Sequence, residues 1–301
     1  MATTTTARPE LAPRPRPVAP TSLGGRLRLA WDDVSFEVDP AVGGRVTGLY
    51  LGGRNLLTGP DVDAGNFGST FWTSPQSAWG WPPVPEIDHG PYEPAVEAEG
   101  FTMRSAVSAA LGVDVEKRFA ADSGRGAVTL DVRVRNRGRA PIALAPWQIS
   151  RVAPGGLSFF PSGDGIFPPS NLAVRETGGV TFYAYDAAAI TDHQKLFADG
   201  REGWLAHVDR GALFVNVFAP VPRARQAPGE AQLEIYANPA HTYVELEVQG
   251  PYETIAPGGA LDWRVTWLCR QLPSGVTAAV GNAALVDHVR ALVAADRRAA
   301  G

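Results

Sequence analysis

The run Val128 to Asn136 restricts this chain more than any other segment. Val128, Leu130, Val132 and Val134 fall on one side of an extended backbone. Thr129, Asp131, Arg133 and Arg135 fall on the other. A period of two with one apolar and one charged face describes a strand of an antiparallel sheet, dry on one side and wet on the other. The same alternation returns along the chain. Ser35 to Val38, Gly44 to Leu51, Ile142 to Val152, Leu213 to Ala219, Ala231 to Tyr236, Tyr243 to Gln249 and Leu261 to Arg270 read as strands. In the last of these, Leu261, Trp263, Val265, Trp267 and Cys269 line one face. Gly43-Gly44, Gly52-Gly53, Arg137-Gly138-Arg139 and Pro257-Gly258-Gly259 supply turns between them. Strands at this spacing without βαβ alternation predict an all-β sandwich or barrel.

Composition agrees. The 33 glycines and 26 prolines among 301 residues suit many short strands joined by punctuated loops. The predicted organisation is a Thr- and Pro-rich flexible leader over 1–22, then one β domain over 23–301. That domain closes with a helix over about 276–298, where Val280, Leu285, Val289, Leu292 and Val293 approach helical spacing. The net charge of −4 opposes a nucleic-acid partner, which needs a basic surface. No apolar run is long enough for a membrane span. The leader lacks the apolar centre of a secretory signal, so a cytoplasmic location, as monomer or homodimer, is expected. The one cysteine, Cys269, allows no internal disulfide and reads as a buried, inert thiol.

Four segments could carry chemistry. The first, Asn66 to Pro83, packs Trp72, Gln76, Trp79 and Trp81 among Pro75, Pro82 and Pro83. Indole faces in such a loop can stack on a pyranose, or they can pin the loop to the core. The second, Asp88-His89, sets a carboxylate beside an imidazole, as an acid/base pair or as a solvated turn. In the third, Tyr243, Glu245, Glu247 and Gln249 share one face of a strand, with His241 two residues upstream of it. Carboxylates two residues apart on a strand lie about 7 Å from each other, close enough to raise a pKa if buried. The alternative is an open polar face. In the fourth, Trp147, Ile149 and Arg151 face one way and Gln148 and Ser150 the other, and Arg151 suits either hydroxyl recognition or an ion pair. His193, His207 and His288 show no metal-ligand spacing, so no metal or cofactor is expected.

Taken together, these segments resemble the aldose 1-epimerases and their relatives, the galactose-mutarotase-like proteins. The resemblance runs from Asp39-Pro-Ala-Val-Gly-Gly-Arg45 through Asn55-Leu56-Leu57 to the late Glu247-Val-Gln249 strand and the Pro257-Gly258 turn, over most of residues 25 to 272. The Trp79-Gly-Trp81-Pro-Pro83 segment looks more like an uncharacterised branch of that superfamily. The resemblance implies a super-sandwich of large antiparallel sheets with a sugar-binding face and no cofactor. It makes Glu247 the base that takes the anomeric hydroxyl proton, with Glu245 the fallback. Sugar ligands would meet Trp72, Gln76, Trp79, Trp81, Asp88, His89, Trp147, Gln148 and Arg151. One departure is plain. The strand that carries the acid histidine in those enzymes reads Pro146-Trp-Gln-Ile-Ser150 here, and glutamine cannot donate and regain a proton. His241, His89 or Asp88 could supply the acid. The alternatives are a sugar-binding module that has lost the reaction, or a lyase-type reaction on the same scaffold.

Overall fold

The alternating segments assemble into two antiparallel sheets, of twelve and ten strands. The computed structural model describes residues 16–300. Consecutive strands across the larger sheet are Thr21–Leu23, Arg26–Trp31, Val34–Asp39, Arg45–Leu51, Ser69–Ser74, Ile142–Val152, Val244–Gln249, Leu233–Ala237, Gln194–Ala198 and Ile166–Phe167. Two short strands, Arg54–Asn55 and Glu253–Ile255, pair off this path. The smaller sheet has Ala127–Asn136 between Ala260–Gln271 and Val113–Asp122.

Period two decides which residues meet between the sheets. Val128, Leu130, Val132 and Val134 enter the main core with Trp263, Val265, Trp267 and Cys269. From the other sheet come Phe36, Leu49, Phe71, Leu246 and Val248. Phe36 lies edge-on to Trp267 at 5.6 Å between ring centroids, so the layers interlock through aromatic rings. The outward residues of the same strands form surface ion pairs, Arg133 with Asp262 and Arg264 with Asp131. Burial raises the Cys269 thiol to about 12, as an inert thiol requires.

Two boundaries differ from the sequence-based expectation. The closing helix runs Ala283–Ala300 instead of starting near 276. Gly281 has a positive φ and ends the preceding turn, and the Asn282 side chain then accepts from the Ala284 N–H at 3.0 Å. That cap sets the start, because a side-chain acceptor there satisfies an otherwise free helical N–H. Leu285, Val289 and Val293 pack the helix onto Phe159, Trp204 and Leu268 on the outside of the smaller sheet. At the other end, residues 1–15 of the expected leader lie outside the described residues. Residues 16–22 belong to the folded domain. Val18 is buried in the core, its N–H donates to the Ala121 carbonyl at 3.0 Å, and Thr21–Leu23 pairs with Arg26–Trp31. A Pro-rich segment is extended by nature and can edge a sheet without regular alternation. No helix among the described residues is long and apolar enough to cross a membrane.

Candidate functional site

On the face of the larger sheet turned away from the core, polar and aromatic residues replace the aliphatic ones. Antiparallel register builds this floor. Ile149 pairs with Glu247, which pairs in turn with Glu234. Arg151 pairs with Glu245, Glu245 with Tyr236, and Tyr236 with Lys195. Trp147 pairs with Trp72 on one side and Gln249 on the other. The expected face of Tyr243, Glu245, Glu247 and Gln249 is therefore one face, and Trp147, Ile149 and Arg151 share it. All are buried, as are Val244, Leu246 and Val248 behind them.

The centre of the floor is a cation between two carboxylates. Lys195 Nζ lies 2.5 Å from Glu234 Oε2 and 3.1 Å from Glu247 Oε2. Trp147 Nε1 donates to the same Glu247 oxygen at 3.0 Å. Gln249 Nε2 and the Ala231 N–H donate to Glu234 Oε1 at 2.8 and 3.0 Å. Glu245 pairs with Arg151 at 2.8 Å, and Arg151 Nη1 donates to Thr70 Oγ1 at 3.1 Å. Arg151 thus takes the ion-pair role of the two open to it. Three carboxylates face two cations here, and Glu234 and Glu247 are 0% and 1% exposed. Burial disfavours charge, so such a set tends to hold an extra proton. Burial pushes Glu234 up to about 7 against the pull of Lys195. It raises Glu247 well above the ordinary carboxylate range, again against Lys195 and helped by Glu234 and Glu245. Burial opposes the charge on Lys195, but Glu234 and Glu247 outweigh it and hold the ammonium protonated. A carboxyl that changes state near neutral pH is what proton transfer requires. Glu247 Oε1 is buried with no hydrogen-bond partner among the described residues.

The Trp-rich loop closes over one end of this floor. Trp72 meets Trp147, Trp79 and Trp81 edge-on at 5.4, 5.7 and 6.1 Å. Trp72 Nε1 donates to Asp88 Oδ1 at 2.7 Å and Trp79 Nε1 to the Thr73 carbonyl at 2.7 Å. These indoles pin the loop, whereas Trp81 is 62% exposed and offers a free ring. The Gln76 N–H donates to Glu230 at 2.9 Å and ties the loop across to the far side of the floor. The Gly43-Gly44-Arg45 turn fastens the loop from below. Arg45, fully buried, lies 3.3 Å from Asp88 and donates to the Gly65 carbonyl at 2.7 Å. Gly43 has φ +70°, and a Cβ there would lie 1.8 Å from the Asp88 carbonyl oxygen, so only glycine fits.

Four of the candidate residues take other places. Asp88 is an anchor for Arg45 and Trp72, with its carboxylate occupied by both. His89 points to solvent with Nδ1 3.4 Å from Asp88, so the pair is a surface feature of the loop's far edge. Gln148 has the opposite parity from Trp147 and lies on the core side near Ser69, so it cannot contact a ligand on the floor. His241 does not extend the carboxylate strand, which begins at Val244. It sits at φ +56° in the preceding turn, with Nδ1 3.2 Å from Tyr185 Oη. Sequence reasoning missed Glu234, Tyr236 and Lys195. The alternation of Leu233, Glu234, Ile235 and Tyr236 is a signal for the first two. Lys195 is marked by rarity, as one of only two lysines in the chain. Among the described residues, no three His, Cys, Asp or Glu side chains are grouped to hold a metal ion.

This architecture has known counterparts. A TPR-domain containing protein from Parabacteroides distasonis superposes with a TM-score of 0.61 at 14% identity, over 85% of this chain. This chain spans 49%, about half, of that protein's length. A galactose mutarotase-like protein from Lactobacillus casei gives 0.57 at 10% identity, covering 82% of this chain and 100% of its own. A galactose mutarotase related enzyme from Lactobacillus acidophilus gives 0.56 at 8% identity, covering 84% and 99%. At these identities the likeness is one of fold, and the chain has the galactose-mutarotase-like sandwich. No curated protein matches the sequence. A family model does match, over residues 25–270, and the chain belongs to that family, DUF4380, a domain of unknown function.

Proposed function

We propose that this protein binds a neutral sugar against the outward face of the larger sheet and interconverts its anomers by proton transfer, as aldose 1-epimerases do. Glu247 is the base. The observation that carries this reading is the buried Glu234–Lys195–Glu247 set at the strand position where the resemblance puts the base. A base must accept a proton near working pH, and burial raises Glu247 in that direction. Trp81 supplies an exposed ring for stacking on the sugar. A neutral sugar fits better than a sugar acid or phosphate, because the carboxylates outnumber the cations and both cations are already paired.

The test is tryptophan fluorescence titration against hexoses and pentoses, followed by one-dimensional NMR of anomer exchange. The wild-type protein should bind at least one neutral sugar and accelerate its exchange. Glu247→Gln should remove the acceleration while the protein stays folded. Exchange that survives this substitution would sink Glu247 as the base. A second reading, a sugar-binding module without turnover, is favoured by one observation: Glu247 is 1% exposed and already hydrogen-bonded. Binding without exchange would select it.

A further inference from the structure

We propose that a groove beneath the end of the closing helix binds an amphipathic anion, a carboxylate on an apolar chain such as a free fatty acid. The groove lies on the outside of the smaller sheet, across the sandwich from the acidic floor, and has a volume of about 1160 Å³. Val217, Phe218, Pro220, Pro251 and Val293 give it apolar walls. The sequence of the helix explains why the space is open. Leu285, Val289 and Val293 seat the helix on the sheet. After Val293 the only apolar side chains of the helix that line the gap are Ala294 and Ala300. A methyl group cannot span the distance that leucine and valine fill upstream, so the outer apolar core is left uncovered there.

The charges around the groove do not cancel. Three carboxylates line it, and each is taken by an arginine. Glu202 accepts from Arg290 on both oxygens, at 2.7 and 2.9 Å. Asp296 pairs with Arg125, and Asp262 with Arg133. Arg264, also in the lining, pairs with Asp131. Arg201, Arg297 and Arg298 are left over. Arg297 donates to the Glu202 and Gly203 carbonyls at 2.7 and 3.2 Å, which occupies its donors without neutralising its charge. Arg201 and Arg298 are exposed and form no ion pair among the described residues.

Arg297 and Arg298 stand in the last turn of the helix, where they also offset its negative end. Arg201 comes from the turn between Gln194–Ala198 and Trp204–Asp209 and has no such role. The chain as a whole is at −4, so this positive surplus is local. Guanidinium groups bind a carboxylate as a planar fork, and the walls beside them suit an alkyl chain. An inorganic anion would leave the walls unused, and an uncharged chain would leave the arginines unused.

The probe is dodecanoate, titrated by calorimetry against the full chain below the micelle threshold. It should bind saturably. Octanoate should bind at least about tenfold more weakly, because each missing methylene buries less apolar surface. Dodecyltrimethylammonium, with the same alkyl chain and the opposite charge, should not bind measurably. Arg201→Gln combined with Arg298→Gln should weaken dodecanoate by about tenfold, the scale of a lost charged hydrogen bond, at an unchanged melting temperature. Ala294→Trp fills the groove from an exposed helix position and should abolish binding while the protein stays folded. Dodecanoate that fails to bind, or that binds both variants as tightly as the wild type, would overturn the site. Equal binding of the trimethylammonium would overturn it too, by showing an apolar surface without charge selection. Cosedimentation with anionic vesicles, without binding of monomeric dodecanoate, would replace it with a membrane contact. The test of Glu247 by anomer exchange is unaffected by any of these results.

Discussion

The chain has two lysines, Lys117 and Lys195; the fold buries Lys117 and leaves Lys195 partly buried, in opposite surroundings. Lys117 stands on the smaller sheet and reaches across the core to the Gly43-Gly44 turn. Its Nζ donates to the Gly43 and Gly44 carbonyls at 2.7 and 3.3 Å, above the ring of Tyr92. No carboxylate touches it, and burial lowers its pKa to about 7. Lys195 lies between Glu234 and Glu247, which hold its charge in place. Burial alone therefore does not fix the state of an ionisable group. What it is buried against decides, because attraction to an anion can outweigh lost hydration and backbone dipoles here do not. Lys117 joins the two sheets beneath the turn that carries Arg45. Lys195 sustains an acidic floor that would otherwise repel itself.

The largest expected effect comes from removing Lys195. Lys195→Met strands Glu234 and Glu247 together in a dry site, so urea unfolding at pH 7 should show a loss of about 3–5 kcal/mol. Lys117→Met strands only two carbonyls and should cost less, about 1–3 kcal/mol. Equal losses would break the contrast.

A second test uses pH. The folded pKa of Lys117, about 7, lies below its ordinary 10.5. Between those values the unfolded chain binds more protons, so stability should rise with pH, by at most about 1.4 kcal/mol per unit. Lys117→Met should flatten that rise. A slope that persists in the variant would assign it to another group.

The smallest effect is expected at Glu234, raised to about 7 from 4.5. Here the folded state binds more protons between those values. Stability should therefore fall as pH rises from about 4.5 to 7, by up to about 1 kcal/mol per unit. Glu234→Gln should remove the fall. An unaltered acid limb in thermal melts would show that the extra proton sits elsewhere in the set.

Much of this fold is legible in the alternation of residue types. The pattern in Val128 to Asn136 and Leu261 to Arg270 places the same residues in the core that the two sheets bury. A side chain two residues along a strand must return to the same face, so parity alone suffices. Parity also puts Glu245 and Glu247 on one face and Gln148 on the face opposite Trp147. The family resemblance nevertheless puts Gln148 at the ligand, because a likeness of segments does not respect parity. The helix start is hard to read from spacing because Val276 and Val280 mimic the helical period, while the stop lies in Gly281 and Asn282.

Sequence by itself determined the sheets, their dry faces and the grouping of two glutamates on one strand, since each follows from local periodicity. Only tertiary structure decided that Glu234 and Lys195 join them. Those residues come from strands paired across the sheet, and strand order is set by the packing of the whole sandwich. It also decided that Asp88 anchors a loop instead of facing a ligand. Its neighbours Arg45 and Trp72 are distant in the chain and adjacent only once the Gly43-Gly44 turn closes against it.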